Sequence, residues 1–184
     1  MRRYLEPYVT EDLNEKMVFV GGPRQVGKTT LALHLLKAKR EDHPGYLNWD
    51  IIDNRKSLIN GEIPKGQNLI VLDEIHKYKM WRGLVKGFYD GHKSNLQILV
   101  TGSARLDYFR KGGDSLQGRY HYYRLHPLSW FEISSNSSQK DLNHLLKFGG
   151  FPEPFIKGNE RHWKRWQNER QERVVQDDLV SLEH

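Results

Sequence analysis

Apolar residues gather along this chain in short runs, Met17–Val20, Tyr46–Ile51, Leu69–Leu72 and Ile98–Val100, separated by polar and glycine-containing stretches. Runs of this length, rich in β-branched and aromatic residues, read as buried strands. Between them lie segments of helical character: Lys28 to Lys39, with Leu31, Leu35 and Leu36 on one face, a short piece from Asn54 to Ile59, and Met80 to Tyr89. Strand alternating with helix predicts a parallel sheet with helices on both faces. A fifth strand is predicted from Tyr120 to Leu125, more polar than the others.

After His126-Pro127 the pattern changes. Leu128 to Ile133 leads into the polar loop Ser134-Ser135-Asn136-Ser137-Ser138, followed by a helix around Leu142 to Phe148 and the turn Gly149-Gly150-Phe151-Pro152. From Glu160 a charged helical stretch carries Trp163, Trp166, Val174 and Leu182 among its apolar positions. The chain therefore divides into an α/β core over 1–126 and a helical appendage or lid over 127–184.

A length of 184 residues allows one full domain with such an appendage. The net charge of +6, from 29 basic and 23 acidic residues, favours polyanionic partners. With no cysteine there are no disulfides or thiolate metal sites, and the scattered histidines lack a metal-ligand spacing. No apolar run approaches the roughly 18 residues of a membrane span, and Met1–Pro7 lacks the apolar centre of a signal peptide. The expectation is a soluble, cytoplasmic protein with no membrane partner.

The run Gly22-Pro23-Arg24-Gln25-Val26-Gly27-Lys28-Thr29 fits the phosphate-binding pattern G-x-x-x-x-G-K-[ST], between a predicted strand and a predicted helix. Its glycines let successive backbone N–H groups turn inward toward phosphate oxygens, and the positive end of the following helix, which Thr30 extends, adds to the cradle. Lys28 would reach the β and γ phosphates, and the Thr29 hydroxyl would coordinate Mg²⁺. Farther on, the strand Asn68 to Leu72 ends in Asp73-Glu74, at the edge of an open sheet where ligands bind. Asp73 would hold Mg²⁺, mainly through water, and Glu74 would activate the water that attacks the γ phosphate.

An acidic pair on the third strand, rather than the second, resembles the additional-strand, catalytic-glutamate class of NTPases rather than the nucleotide-kinase class, a likeness that implies water as the nucleophile. Thr101 or Ser103, at the end of the fourth strand where AAA-type enzymes put their first sensor, either orients the attacking water or reads the γ phosphate, or simply terminates the strand. Asp50, closing the second strand, reads more simply as a turn carboxylate than as a helper of Mg²⁺.

Taken together, Gly22 to Leu31, Tyr46 to Asp50, Leu72-Asp73-Glu74-Ile75-His76-Lys77 and Val100 to Ala104 resemble the bacterial and archaeal AAA-type ATPases that join this module to a C-terminal domain of unassigned role. Ser115 to Arg119, Pro127 to Glu132 and Gly149 to Glu153 extend the resemblance, which begins at Arg3-Tyr4-Leu5. It implies a P-loop NTPase fold with a five-stranded sheet in the order 5-1-4-3-2, a small helical lid, and ATP with Mg²⁺ as ligand. It also implies either an N-terminal module whose tail leads into a further domain or an unusually short relative, and Leu182-Glu183-His184 reads equally as native sequence or a tag. Similar proteins carry Gly-Arg at the place of Arg119, which is then either a finger for the γ phosphate, supplied in cis or by another copy of the chain, or an arginine paired with a surface carboxylate. Arg105 is a weaker candidate for the finger.

Two functional classes follow. One is an ATPase whose turnover drives a change in the lid and the attached domain; the other is a nucleotide-held binding switch with little turnover, with DNA as a further partner. The DNA reading rests on Arg161, Lys164, Arg165, Arg170 and Arg173 around Trp163 and Trp166. Helical spacing favours the simpler view, in which those tryptophans pack against the lid.

Overall fold

In the computed structural model, residues 2–103, 106, 116–133 and 138–173 are described. The sequence candidate Arg105, the loop residues 134–137 and the tail from Val174 lie outside them. The chain forms two compact units, Met1–His126 and Pro127–His184.

The first unit begins with helix α1 (Glu6–Asp12), followed by strand β1 (Met17–Gly21) and helix α2 (Lys28–Leu35). Then come β2 (Tyr46–Asn48), α3 (Ile52–Ile59), β3 (Leu69–Asp73), α4 (Trp81–His92), β4 (Gln97–Thr101) and β5 (Tyr120–Arg124). The five strands form one sheet in the order β2-β3-β4-β1-β5, every neighbouring pair parallel. This is the 5-1-4-3-2 order implied by the resemblance, read from the other edge.

Strand alternation sorts the residues into two layers. Met17, Phe19, Leu47, Ile70, Leu72, Ile98 and Val100 join Leu58 of α3 and Trp81, Val85 and Phe88 of α4 in one buried cluster. The other face carries Val18, Val20, Tyr46, Val71, Asp73, Leu99 and Thr101, all buried. The register sets Asp73 beside Thr101 and Asn48, so the polar ends of three strands meet at one edge.

Several boundaries differ from the sequence expectation for local reasons. Helix α2 stops at Leu35 instead of Lys39 because Lys37 turns left-handed (φ 54°). The Lys37 and Ala38 N–H groups then donate to the His34 and Leu33 carbonyls, the paired bonds of a Schellman ending. Strand β2 ends at Asn48, whose Oδ1 accepts from the Asp50 N–H and starts a turn. Helix α1, not anticipated, aligns its one buried residue Val9 with the flanking Leu5 and Leu13, which are buried too. Strand β5 is an edge strand of partly exposed residues, consistent with its polarity.

The second unit contains α5 (Trp130–Ile133), α6 (Gln139–Phe148), α7 (Pro152–Lys157) and α8 (Glu160–Arg173). Helix α6 starts three residues before Leu142 because Ser138 caps it, accepting from the Asp141 N–H. Trp166 is buried against Phe151, over which the Arg170 guanidinium lies at 4.0 Å. Of the tail residues that suggested DNA, Trp166 and Arg170 are thus engaged within the unit, while Arg161, Lys164 and Arg165 are exposed. No helix among the described residues is long and apolar enough to cross a membrane.

Candidate functional site

The loop from Gly22 to Gly27 leaves the end of β1 and returns into α2. Its shape depends on both glycines. Gly22 has φ 151°, and a Cβ there would fall 2.4 Å from the Leu125 carbonyl oxygen. Gly27, at φ 99°, caps α2 without any side-chain hydrogen bond. Gln25 is also left-handed (φ 63°), a strained conformation in a loop whose ends are fixed.

Two anchors fix those ends. The Leu125 N–H donates to the Gly21 carbonyl, and the buried Arg3 guanidinium donates to the carbonyls of Val26 (2.6 Å) and His126. Lys28 is buried as well, and its Nζ donates to the Gly22 and Pro23 carbonyls, both at 2.9 Å. The ammonium therefore sits over the loop. Thr29 is half-buried, whereas Arg24 and Thr30 are exposed.

Thr29 and Asp73 are joined through a residue that the sequence reading did not single out. The Tyr46 phenol donates to Asp73 Oδ2 and interacts with the Thr29 side chain. Burial first, and then the Asp73 carboxylate, push this phenol well above its ordinary pKa, so it remains a donor. The other oxygen, Asp73 Oδ1, accepts from Thr101 Oγ1 at 2.6 Å. Thr101 is fully buried. Of the two suggested sensors, it is therefore the one committed to Asp73.

Glu74 adopts a left-handed backbone (φ 56°) and its N–H donates to the Thr101 carbonyl. The turn points its carboxylate toward Lys77 Nζ (3.7 Å) and His76 Nε2 (3.6 Å). Burial is the main cause of a raised Glu74 pKa, Asp73 adds to it, and Lys77 and Lys28 oppose it. Lys77 also pairs with Asp50, which is exposed, as the turn reading anticipates. Ser103 is buried and lies 3.2 Å from His76 Nε2.

Arg119 is not brought to this site within its own chain. Its carbonyl accepts from the N–H of Met17, the first residue of β1, and the five-residue strand separates it from the loop by roughly 16 Å. Its guanidinium is held by Asp90, with Nε at 3.0 Å from Oδ1.

A phosphate-type loop after the first strand, an acidic end on the third and the order β2-β3-β4-β1-β5 define a P-loop NTPase fold. Residues 14–134 match the AAA domain family model, and the chain belongs to that family. An uncharacterized protein of Methanocaldococcus jannaschii is 26% identical over 161 residues, which cover 75% of this chain and 36% of the relative. The chain thus spans about a third of that relative's length. The structure of AMPPCP-bound DnaA from Aquifex aeolicus is similar in fold, with a TM-score of 0.54 at 13% identity over 94% of this chain and 65% of that one. A Pif1 helicase from Bacteroides aligns at a TM-score of 0.44 and 14% identity, over 81% and 47% of the two chains.

The missed residues differ in how far the sequence could have revealed them. Tyr46 looks like an ordinary core aromatic at the start of a strand, and only the strand register brings its hydroxyl to Asp73 two positions on. Arg3 is one of two adjacent arginines at the N-terminus, where nothing local signals burial.

Proposed function

We propose that this chain binds ATP with Mg²⁺ and hydrolyses it, and that the nucleotide state is passed to the helical unit and to a C-terminal domain or another partner attached to it. The observation that carries the reading is the buried Lys28 ammonium held over the loop, with Tyr46 interacting with both the Thr29 side chain and the Asp73 carboxylate. The set suits a magnesium triphosphate: backbone donors and an ammonium for phosphate, hard oxygen ligands for Mg²⁺.

In this mechanism the loop N–H groups and Lys28 bind the β and γ phosphates, with Lys28 exchanging its carbonyl partners for phosphate oxygens. Thr29 and Asp73 would hold Mg²⁺, which when bound would neutralise phosphate charge. Glu74 accepts a proton from the attacking water, a role suited to a carboxylate whose pKa is raised by burial. Ser103 donates to the γ phosphate. Arg119 could serve a γ phosphate only from a neighbouring copy, since in its own chain it belongs to the opposite end of the sheet.

The test is MgATP binding and phosphate release by the whole chain and by Lys28→Ala and Glu74→Gln. Lys28→Ala should lose binding, whereas Glu74→Gln should bind and not turn over. Tight binding with no turnover by the unmodified chain would instead favour the switch reading.

A further inference from the structure

His76 lies in the single 3-10 turn Ile75–Lys77 that follows β3, and its side chain is only 2% exposed. One ring nitrogen, Nε2, faces two groups of the proposed site: Ser103 Oγ at 3.2 Å and Glu74 Oε2 at 3.6 Å. The ring is confined from the other side by the backbone of β4's end. A Cβ on Gly102 would stand 2.6 Å from Nδ1, so the imidazole has its place because residue 102 lacks a side chain.

The hydrogen on Nε2 decides what Ser103 can do. If Nε2 carries it, the ring donates to Ser103 Oγ with the Glu74 carboxylate oxygen 3.6 Å away, and the serine keeps its own hydrogen for another acceptor. If Nε2 is bare, Ser103 must donate to the ring, and a nitrogen lone pair faces the carboxylate. Ionised Glu74 accepts only, so the repulsion of the second arrangement selects the first. Thr101 cannot take the part of Ser103, because its hydroxyl donates to Asp73.

We infer that His76 is a positioning residue, whose Nε2–H donates to Ser103 Oγ beside the Glu74 carboxylate and so frees the Ser103 hydroxyl hydrogen for the γ phosphate of a bound triphosphate. The inference rests on the proposed ATP site. It links the water-activating carboxylate to the group that distinguishes ATP from ADP, and makes His76 matter for discrimination rather than for nucleotide binding as such.

The experiment has two parts, both on the whole chain. ¹⁵N spectra of the histidine-labelled protein should show His76 as the Nε2–H tautomer, and the Nδ1–H tautomer overturns the inference without any variant. Calorimetry with Mg²⁺ then compares a non-hydrolysable ATP analogue with ADP. The unmodified chain should prefer the triphosphate, and Ser103→Ala and His76→Ala should each narrow that preference about tenfold, the worth of one hydrogen bond to a charged group. The double variant should narrow it no further, while ADP affinity stays within about twofold throughout.

His76→Gln, whose amide can donate from a similar position, should restore most of the preference. His76→Met replaces His76→Ala if the smaller side chain unfolds the protein. A folded His76→Met or His76→Ala chain with unchanged discrimination overturns the inference and leaves the ATP site standing. An unmodified chain that binds neither nucleotide overturns the site, and this inference with it.

Discussion

The Tyr46 phenol donates to Asp73 Oδ2 across two adjacent parallel strands, and Thr101 donates to the other carboxylate oxygen. Asp73 pairs in register with Asn48, so Tyr46 reaches it by extending its ring along two residues of strand. A buried carboxylate with two hydroxyl donors is fixed in one rotamer before any ligand arrives.

Replacing Tyr46 by Phe removes one donor from that carboxylate and keeps the ring's packing. The fold should lose about 1.5–3 kcal/mol, the range for a hydrogen bond to a charged group, read as a lower urea midpoint at unchanged m-value. Nucleotide binding should also need more Mg²⁺ to saturate, because Asp73 is less firmly placed. An unchanged urea midpoint together with an unchanged Mg²⁺ titration would show that the phenol does nothing for Asp73.

Glu74 provides a pH test with a definite sign. Its folded-state pKa is raised, chiefly by burial, so the protonated form is the one the fold prefers. The associated stability is fully present below the ordinary glutamate value near 4.3 and is lost as pH rises through the raised folded value. Glu74→Gln keeps a neutral side chain at every pH. It should therefore melt above the unmodified chain at pH 7.5, without nucleotide or Mg²⁺, and the gap should shrink as the pH approaches 4. A gap independent of pH would mean that the charge on Glu74 costs the fold nothing.

The architecture was legible in the sequence because buried parallel strands are continuous apolar runs, and because Gly22 to Thr29 and Asp73-Glu74 are contiguous in the chain. What escaped were relationships made by register and turns. Tyr46 and Asp73 are 27 residues apart, and His76 meets Ser103 across the same separation. Arg3 reaches Val26 and His126 over 23 and 123 residues. Helix α2 was read too long because Lys37 takes a left-handed conformation that nothing in its side chain announces. Arg119 drew attention by its Gly-Arg context, but a residue just before a parallel strand belongs to the end of the sheet away from the loop.

That placement yields a prediction for Arg119. Its contact with Asp90 is a partly exposed surface ion pair, of the kind that adds little to stability. Arg119→Ala and Asp90→Ala should therefore each leave the melting temperature within a few degrees. At concentrations low enough to keep the chain monomeric, Arg119→Ala should hydrolyse ATP at the unmodified rate. A loss of rate that appears only at high protein concentration would show the guanidinium acting on a neighbouring copy. A loss already present in the dilute monomer would contradict the separation of Arg119 from the loop.

Gly22 tests the loop's anchoring most sharply. Its positive φ is unfavourable for any residue with a Cβ, and the atom such a Cβ would meet at 2.4 Å is the Leu125 carbonyl oxygen, part of the backbone just beyond β5. Neither partner can move alone: the Leu125 N–H is bonded to Gly21, and Arg3 ties the neighbouring His126 to Val26 at the far end of the loop. Gly22→Ala should thus cost at least about 2 kcal/mol in urea unfolding, combining backbone strain with steric displacement. Nucleotide affinity should fall by more than the loss of folded protein explains, because the displaced segment carries the carbonyl that Lys28 grips. Gly61→Ala is the control, since its φ is also positive (75°) but no atom lies within 4 Å of its Cβ position. Were Gly22→Ala no more harmful than Gly61→Ala, strain alone would account for both, and the close approach to Leu125 would have no part in shaping the loop.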